Sequence, residues 1–199
     1  MYTKVTARVA GVRAAGLILA GGRARRLGGR DKAWCVWRGR PLWLHVLRRL
    51  APQVRALALS ANRRAPRNRA FGLPVLADPR RLGPPGGLGP LAGVLAGLAW
   101  SPCPYLACVP CDTPCLPRDL VRRLAEGLAQ APAAYAVAEG RAQPLCCLLR
   151  VELAASLAAY LRRGGRSVLG FWEAVGAAPV PVPAPLGAFA NINRYEDRP

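Results

Sequence analysis

The chain has 199 residues, 52% of them hydrophobic, and a formal net charge of +19 at neutral pH. That apolar content excludes a disordered polymer, and the length suits one α/β domain with a sizeable core. So basic a chain suggests polyanionic partners, but its cations are spread along the sequence without interleaved aromatics. Arg, Ala, Gly and Pro are abundant and Lys, Ile and Met scarce, as in a GC-rich coding sequence, so composition accounts for most of the charge.

Residues 1–14 form a basic lead-in without a clear period, and residues 15–199 are read as a single domain of two halves that meet at about residue 116. The first strand covers about 15–20. It runs into Gly21-Gly22-Arg23-Ala24-Arg25-Arg26-Leu27-Gly28-Gly29-Arg30-Asp31-Lys32. Glycines at the end of a strand bring backbone N–H groups close to a ligand, and the cations add positive charge. Together they suggest a phosphate cradle. The spacing is neither that of a P-loop nor that of the dinucleotide-binding glycine fingerprint. Lysine is rare here, at positions 4 and 32 alone, and Lys32 offers the compact point charge that suits phosphate.

A helix begins near Pro41, with Leu42, Val46, Leu47 and Leu50 on one side. His45, the only histidine, lies among these apolar neighbours and is given no chemistry; a histidine metal site is excluded. Val54–Ser60 reads as a second strand and Leu73–Leu76 as a third, ending at Asp78. A glycine–proline loop over 83–90 precedes a helix over 90–100, and Tyr105–Val109 is a further strand that leads into Asp112. Residues 82–111 carry no charge, but their prolines and glycines argue for a buried helix and strand joined by loops, not for a membrane span. Helices are expected over 117–129, 151–163 and 166–175, strands over 133–138 and 144–149, an extended stretch over 178–185, and a strand running into a loop at 189–193.

Strands alternating with helices predict a mostly parallel sheet with helices on both faces. Ligands bind such sheets beyond the carboxyl ends of the strands. The Gly21–Lys32 loop, Ser60, Asp78 and Asp112 all fall there. Asp112 suits Mg²⁺, which takes one or two carboxylates together with substrate phosphates. The alternative for Asp112 is a turn or helix-capping residue. Asn191 and Asn193 are two apart, so in an extended segment their amides would point the same way.

The seven cysteines are odd in number and follow no secretory signal, so a disulfide framework is not indicated. Cys103, Cys108, Cys111 and Cys115 include a spacing that could hold a cluster or zinc. Buried apolar thiols are the plainer reading, for these and for Cys146 and Cys147.

Leu19-Ala20-Gly21-Gly22-x-x-x-Arg26-Leu27-Gly28-Gly29-x-Asp31-Lys32 resembles the signature loop of the molybdenum cofactor guanylyltransferases. Ala61-Asn62-Arg63, Asp78, Gly89-Pro90-Leu91-Ala92-Gly93, Pro110-Cys111-Asp112-Thr113-Pro114, Pro144-Leu145 and Asn191-Ile192-Asn193 extend the likeness from residue 16 to the end. The resemblance implies a Rossmann-like nucleotidyltransferase fold. It implies that Leu19, Ala20, Gly21, Lys32, Asp78 and Asp112 bind GTP, with Asp112 also on Mg²⁺. Gly22, Arg26, Gly29, Gly89, Gly93, Asn191 and Asn193 would face molybdopterin. Ser60 stands where these enzymes often have Asn, at a nucleotide contact, and Cys146-Cys147 where a Phe-Ala-like pair is commoner.

The implied reaction is transfer of GMP from GTP to molybdopterin with release of pyrophosphate. The attacking phosphate is already an anion, so no general base is needed, and Lys32, Arg26 and Mg²⁺ on Asp112 would neutralise charge. The expected protein is a cytoplasmic monomer, without nucleic-acid or membrane partners, that works with other molybdenum-cofactor assembly proteins. The same chemistry with CTP is one alternative. A non-catalytic basic nucleic-acid-binding protein is another, but it leaves Asp78 and Asp112 unexplained, since carboxylates repel phosphate unless a metal intervenes.

Overall fold

A computed structural model of the protein describes residues 12–20, 32–62, 72–79, 82 and 87–192. Strand β1 (Ala14–Leu19) is buried along its whole length. It lies between two parallel neighbours, β4 (Ala56–Ser60) and β6 (Tyr105–Pro110). The short β5 (Val75–Leu76) continues the sheet beyond β4. On the other side β8 (Arg141–Arg150) runs antiparallel to both β6 and β7 (Ala133–Ala138). Finally β9 (Ala178–Pro181) pairs in parallel with β7. The sheet order is β5-β4-β1-β6-β8-β7-β9, so only β8 runs against the rest. A separate two-stranded hairpin, β2 (Val36–Trp37) and β3 (Arg40–Pro41), precedes the first helix and was not expected from the sequence.

Alternation along β1 explains the two cores. Ile18 faces one side with Trp43, Val46, Leu47 and Leu50 of helix α1 (Leu42–Leu50) and Leu120, Val121 and Leu124 of α3 (Leu120–Gly127). Leu17 and Leu19 face the other side, with Leu91, Val94, Leu95 and Leu98 of α2 (Pro90–Trp100). Leu157 and Leu161 of α4 (Ala154–Arg162) and Phe171 and Trp172 of α5 (Val168–Val175) complete that second core. Helices thus cover both faces of a mostly parallel sheet.

Helix α2 is apolar nearly all round because it is buried nearly all round. Two glycines set its distance from the sheet. A Cβ at Gly97 would lie 2.6 Å from Leu17 Cδ2, and one at Gly93 would collide with the Ser60 hydroxyl. The glycine face therefore presses α2 onto the ends of β1 and β4.

Several boundaries differ from the sequence reading. Helix α3 starts at Leu120, not 117, and α4 at Ala154 after a 3-10 turn over Val151–Leu153. Strand β8 begins at Arg141 because Glu139 and Gly140, both with positive φ, form a tight hairpin turn from β7. A strand running into a loop was expected over 189–193, but 186–189 form a turn that buries Ala188 and Phe189 against the sheet, and 190–192 carry no strand.

Candidate active site

The chain runs out from β1 to β4 and β5, then returns to place β6 on the other side of β1. That reversal opens a crevice at the carboxyl ends of β1 and β6. The strand ends are level: Leu19 is in register with Ser60 on one side and Pro110 on the other. Just beyond, the Ala20 N–H donates to the Ser60 carbonyl at 2.9 Å, and the Cys111 N–H donates to the Leu19 carbonyl at 3.1 Å.

A cavity of about 410 Å³ fills the crevice. Leu19 forms its base, with Gly89, Pro90 and Gly93 of the α2 N-terminus. Gly89 has φ of +69°, a conformation that a side chain would strain, and it delivers Pro90 into the first turn. Ser60, Asn62 and Asp78 line the β4–β5 side, and Pro110, Cys111 and Asp112 the end of β6. Gln143, Pro144, Leu145 and Cys146 form the β8 side, and Asn191 completes the wall.

Specific bonds hold these groups. The Asn62 side-chain amide donates to Asp78 Oδ2 at 2.6 Å, and the Asp78 backbone N–H donates to Asn62 Oδ1 at 2.8 Å. This reciprocal pair fixes a carboxylate that is only 7% exposed. After β6 the buried Thr113 hydroxyl donates to the Pro110 carbonyl at 3.0 Å, closing the turn that carries Asp112. The Ile192 N–H donates to the Asp112 carbonyl at 2.9 Å, bringing Asn191 from 79 positions further along to the same cavity. Asp112 is not a helix cap: Asp119 occupies that position on α3, and its side chain bonds Arg122 and Arg123 instead.

The β8 wall exists because the strand is bulged. Tyr135 pairs with Cys147 and the next residue, Ala136, pairs with Gln143, so Pro144–Cys146 oppose nothing on β7. The Trp172 indole donates to the Pro144 carbonyl at 2.9 Å. Burial first, then the neighbouring Cys147 and Asp112, push the Cys146 thiol well above its ordinary pKa.

Of the residues expected at the site, Leu19, Ser60, Asp78, Gly89, Gly93, Asp112 and Asn191 line this one cavity. Ala20 is buried directly beneath, through its bond to Ser60. Gly21, Gly22, Arg26, Gly29 and Asn193 lie outside the described residues, and of Lys32 only the backbone is described, opening a 3-10 turn. Asn62 and Pro144-Leu145 were read only as pieces of the family likeness and Cys146 as a buried thiol, none as site residues; Pro144 inside a strand pattern was the available signal for a bulge. The four-cysteine alternative is not assembled. Cys103 and Cys108 pack on one face of the sheet and Cys111 on the other. Among the described residues no group of three His, Cys, Asp or Glu side chains could hold a metal ion. His45 instead meets the Trp37 carbonyl through Nε2 at 2.8 Å.

A crevice at the strand-order reversal, with a carboxylate at its centre and a glycine-rich helix start at its base, is the architecture of a nucleotide-handling α/β enzyme. Residues 16–176 match the MobA-like NTP transferase domain family. The chain is 43% identical over 182 residues to the molybdenum cofactor guanylyltransferase of Serratia proteamaculans, covering 92% of this chain and 90% of that protein. It is also 43% identical over 189 residues to the molybdenum cofactor guanylyltransferase of Ralstonia nicotianae, covering 89% and 90%. Its fold superposes with a TM-score of 0.72 on the crystal structure of molybdopterin-guanine dinucleotide biosynthesis protein A from Archaeoglobus fulgidus, at 21% identity over 90% of this chain and 92% of that one. The chain belongs to the molybdenum cofactor guanylyltransferase family and is a nucleotidyltransferase.

Proposed function

We propose that this protein transfers GMP from GTP to molybdopterin. A phosphate oxygen of molybdopterin attacks the α-phosphorus, a new P–O bond forms, the bond to the β-phosphate breaks, and pyrophosphate leaves. The observation that carries this reading is the division of one cavity by Asp112. Ser60, Asn62 and Asp78 lie to one side of it, and the β8 bulge to the other.

On this reading GTP occupies the side of Leu19, Ser60 and Asp78, with Gly21 and Lys32 supplying donors and charge to its phosphates and Arg26 adding charge from the molybdopterin side. Molybdopterin occupies the side of the β8 bulge, Asn191 and Asn193, with Gly22, Gly29 and Gly89 expected there too; Gly93 instead abuts the Ser60 hydroxyl and Leu19, on the nucleotide side. The donor set at the centre fits Mg²⁺: Asp112 offers a hard oxygen in a cavity open enough for phosphates and water to complete the shell. Asp112 would hold the ion, which when bound would neutralise phosphate charge. The protein's own residues orient the two substrates in line, and no side chain need take a proton from an acceptor already ionised.

Calorimetry with GTP, CTP and ATP, each with and without Mg²⁺, tests the proposal. Mg²⁺-dependent preference for GTP supports it, followed by turnover with molybdopterin. Preference for CTP reassigns the transferred group, and failure to bind any nucleotide overturns the reading.

A further inference from the structure

Trp172 sits on α5, the helix that follows the last long element of the second core, and no motif in the sequence connects it to the cavity. Its indole nevertheless donates at 2.9 Å to the carbonyl of Pro144, one of the bulge residues that line the β8 wall. Residues of a bulge lose their ladder partners, so their carbonyls need donors from elsewhere. Here the donor comes from a side chain that is 1% exposed and packed against Phe171, with ring centroids 5.3 Å apart.

The helix carrying the indole is itself fixed at both ends. The Ser167 hydroxyl accepts from the Gly170 N–H at 3.0 Å, and Gly176 closes the helix in the left-handed conformation. Any buried indole N–H needs an acceptor, so what matters is which acceptor it takes. This one meets the backbone of the segment that shapes the cavity wall.

We propose that Trp172 is a positioning residue for the acceptor: its indole holds the Gln143–Cys146 bulge in the shape that receives the second substrate. The inference rests on the proposed function for the identity of that substrate. Its location follows from the strand order. Strand β8 is three strands away from β4, about 14 Å at the usual strand spacing. A nucleotide seated on Ser60 and Asp78 therefore leaves the bulge to the other reactant.

The test compares Trp172→Phe, which keeps an aromatic ring and loses the donor, with Phe171→Leu, which disturbs the same core and keeps the indole. In Trp172→Phe the KM for molybdopterin rises about tenfold, as expected for one buried hydrogen bond, while GTP affinity is unchanged. Iodoacetamide labelling of Cys146, located by peptide mass spectrometry, becomes faster in the same variant. Phe171→Leu lowers Tm without raising that KM or that labelling rate. Equal KM changes in the two variants, or unaltered labelling of Cys146 in Trp172→Phe, overturn the proposal.

If Trp172→Phe does not fold, the wild-type protein decides. The assigned Trp172 indole N–H resonance shifts on addition of molybdopterin and not of GTP. A shift with GTP alone, or with neither, overturns the proposal. A wild-type protein that binds GTP and turns over no molybdopterin overturns the functional reading and the acceptor role together. The labelling comparison then shows separately whether the indole holds the bulge.

Discussion

Replacing Asn62 with alanine removes both bonds that tie the end of β4 to Asp78. The amide-to-carboxylate bond, at 2.6 Å and to a charged group, contributes about 1.5–3 kcal/mol, and the Asp78 N–H bond about 0.5–1.5 kcal/mol. Asn62 is half-buried, so water recovers part of this, leaving a net loss of about 2–3 kcal/mol. For a protein of this length that lowers Tm by roughly 5–10 °C. The functional consequence is separate. Without the two Asn62 bonds the Asp78 carboxylate is held less firmly on the nucleotide side, and GTP affinity falls about tenfold. Differential scanning calorimetry measures the first effect and isothermal titration with GTP the second. A Tm within about 1 °C of wild type, with unchanged GTP affinity, would refute the argument that this pair organises the site.

Three further outcomes are expected. Asp112→Ala abolishes turnover and, because Asp112 is half-buried at the cavity, leaves Tm within about 2 °C of wild type; normal activity sinks its central role. Gly93→Ala destabilises by about 1–3 kcal/mol, since a Cβ there collides with the Ser60 hydroxyl and lies 3.1 Å from Leu19 Cδ2. An unobstructed helix would gain up to about 1 kcal/mol from the same change, so the sign of the shift in urea midpoint decides. At Asp119, partial burial raises the carboxyl pKa, but the Arg123 and Arg122 hydrogen bonds and charges outweigh it and hold it below the usual value. Such a group stabilises the fold above its unfolded pKa of about 3.9, and that contribution is lost as pH falls through the lower folded value. Asp119→Ala therefore costs stability at pH 6 that shrinks as pH falls below the unfolded value; at 36% side-chain exposure, solvent screening keeps the effect below about 1 kcal/mol. A deficit persisting undiminished at the acid end contradicts the assignment.

The apolar run of β1, the position of α1, and the strands that lead to Ser60, Asp78 and Pro110 are determined by the sequence alone, because burial periodicity and proline or glycine punctuation are local signals. The strand-end location of Ser60, Asp78 and Asp112 follows from the same pattern, since parallel sheets expose their carboxyl ends to ligands. What only the tertiary structure decides are contacts between distant positions. Gln53 is buried because its amide bonds the carbonyls of Arg49 and Pro117 and accepts from the Val121 N–H, a bridge between α1 and α3 that no local pattern encodes. The Asn62–Asp78 pair, the docking of Ile192 on Asp112 and the indole bond to the β8 bulge are of the same kind. Periodicity reports which face of a segment is buried; it carries no information about which partner a polar group meets there. That choice depends on strand order, register and the close approach that Gly93 and Gly97 permit.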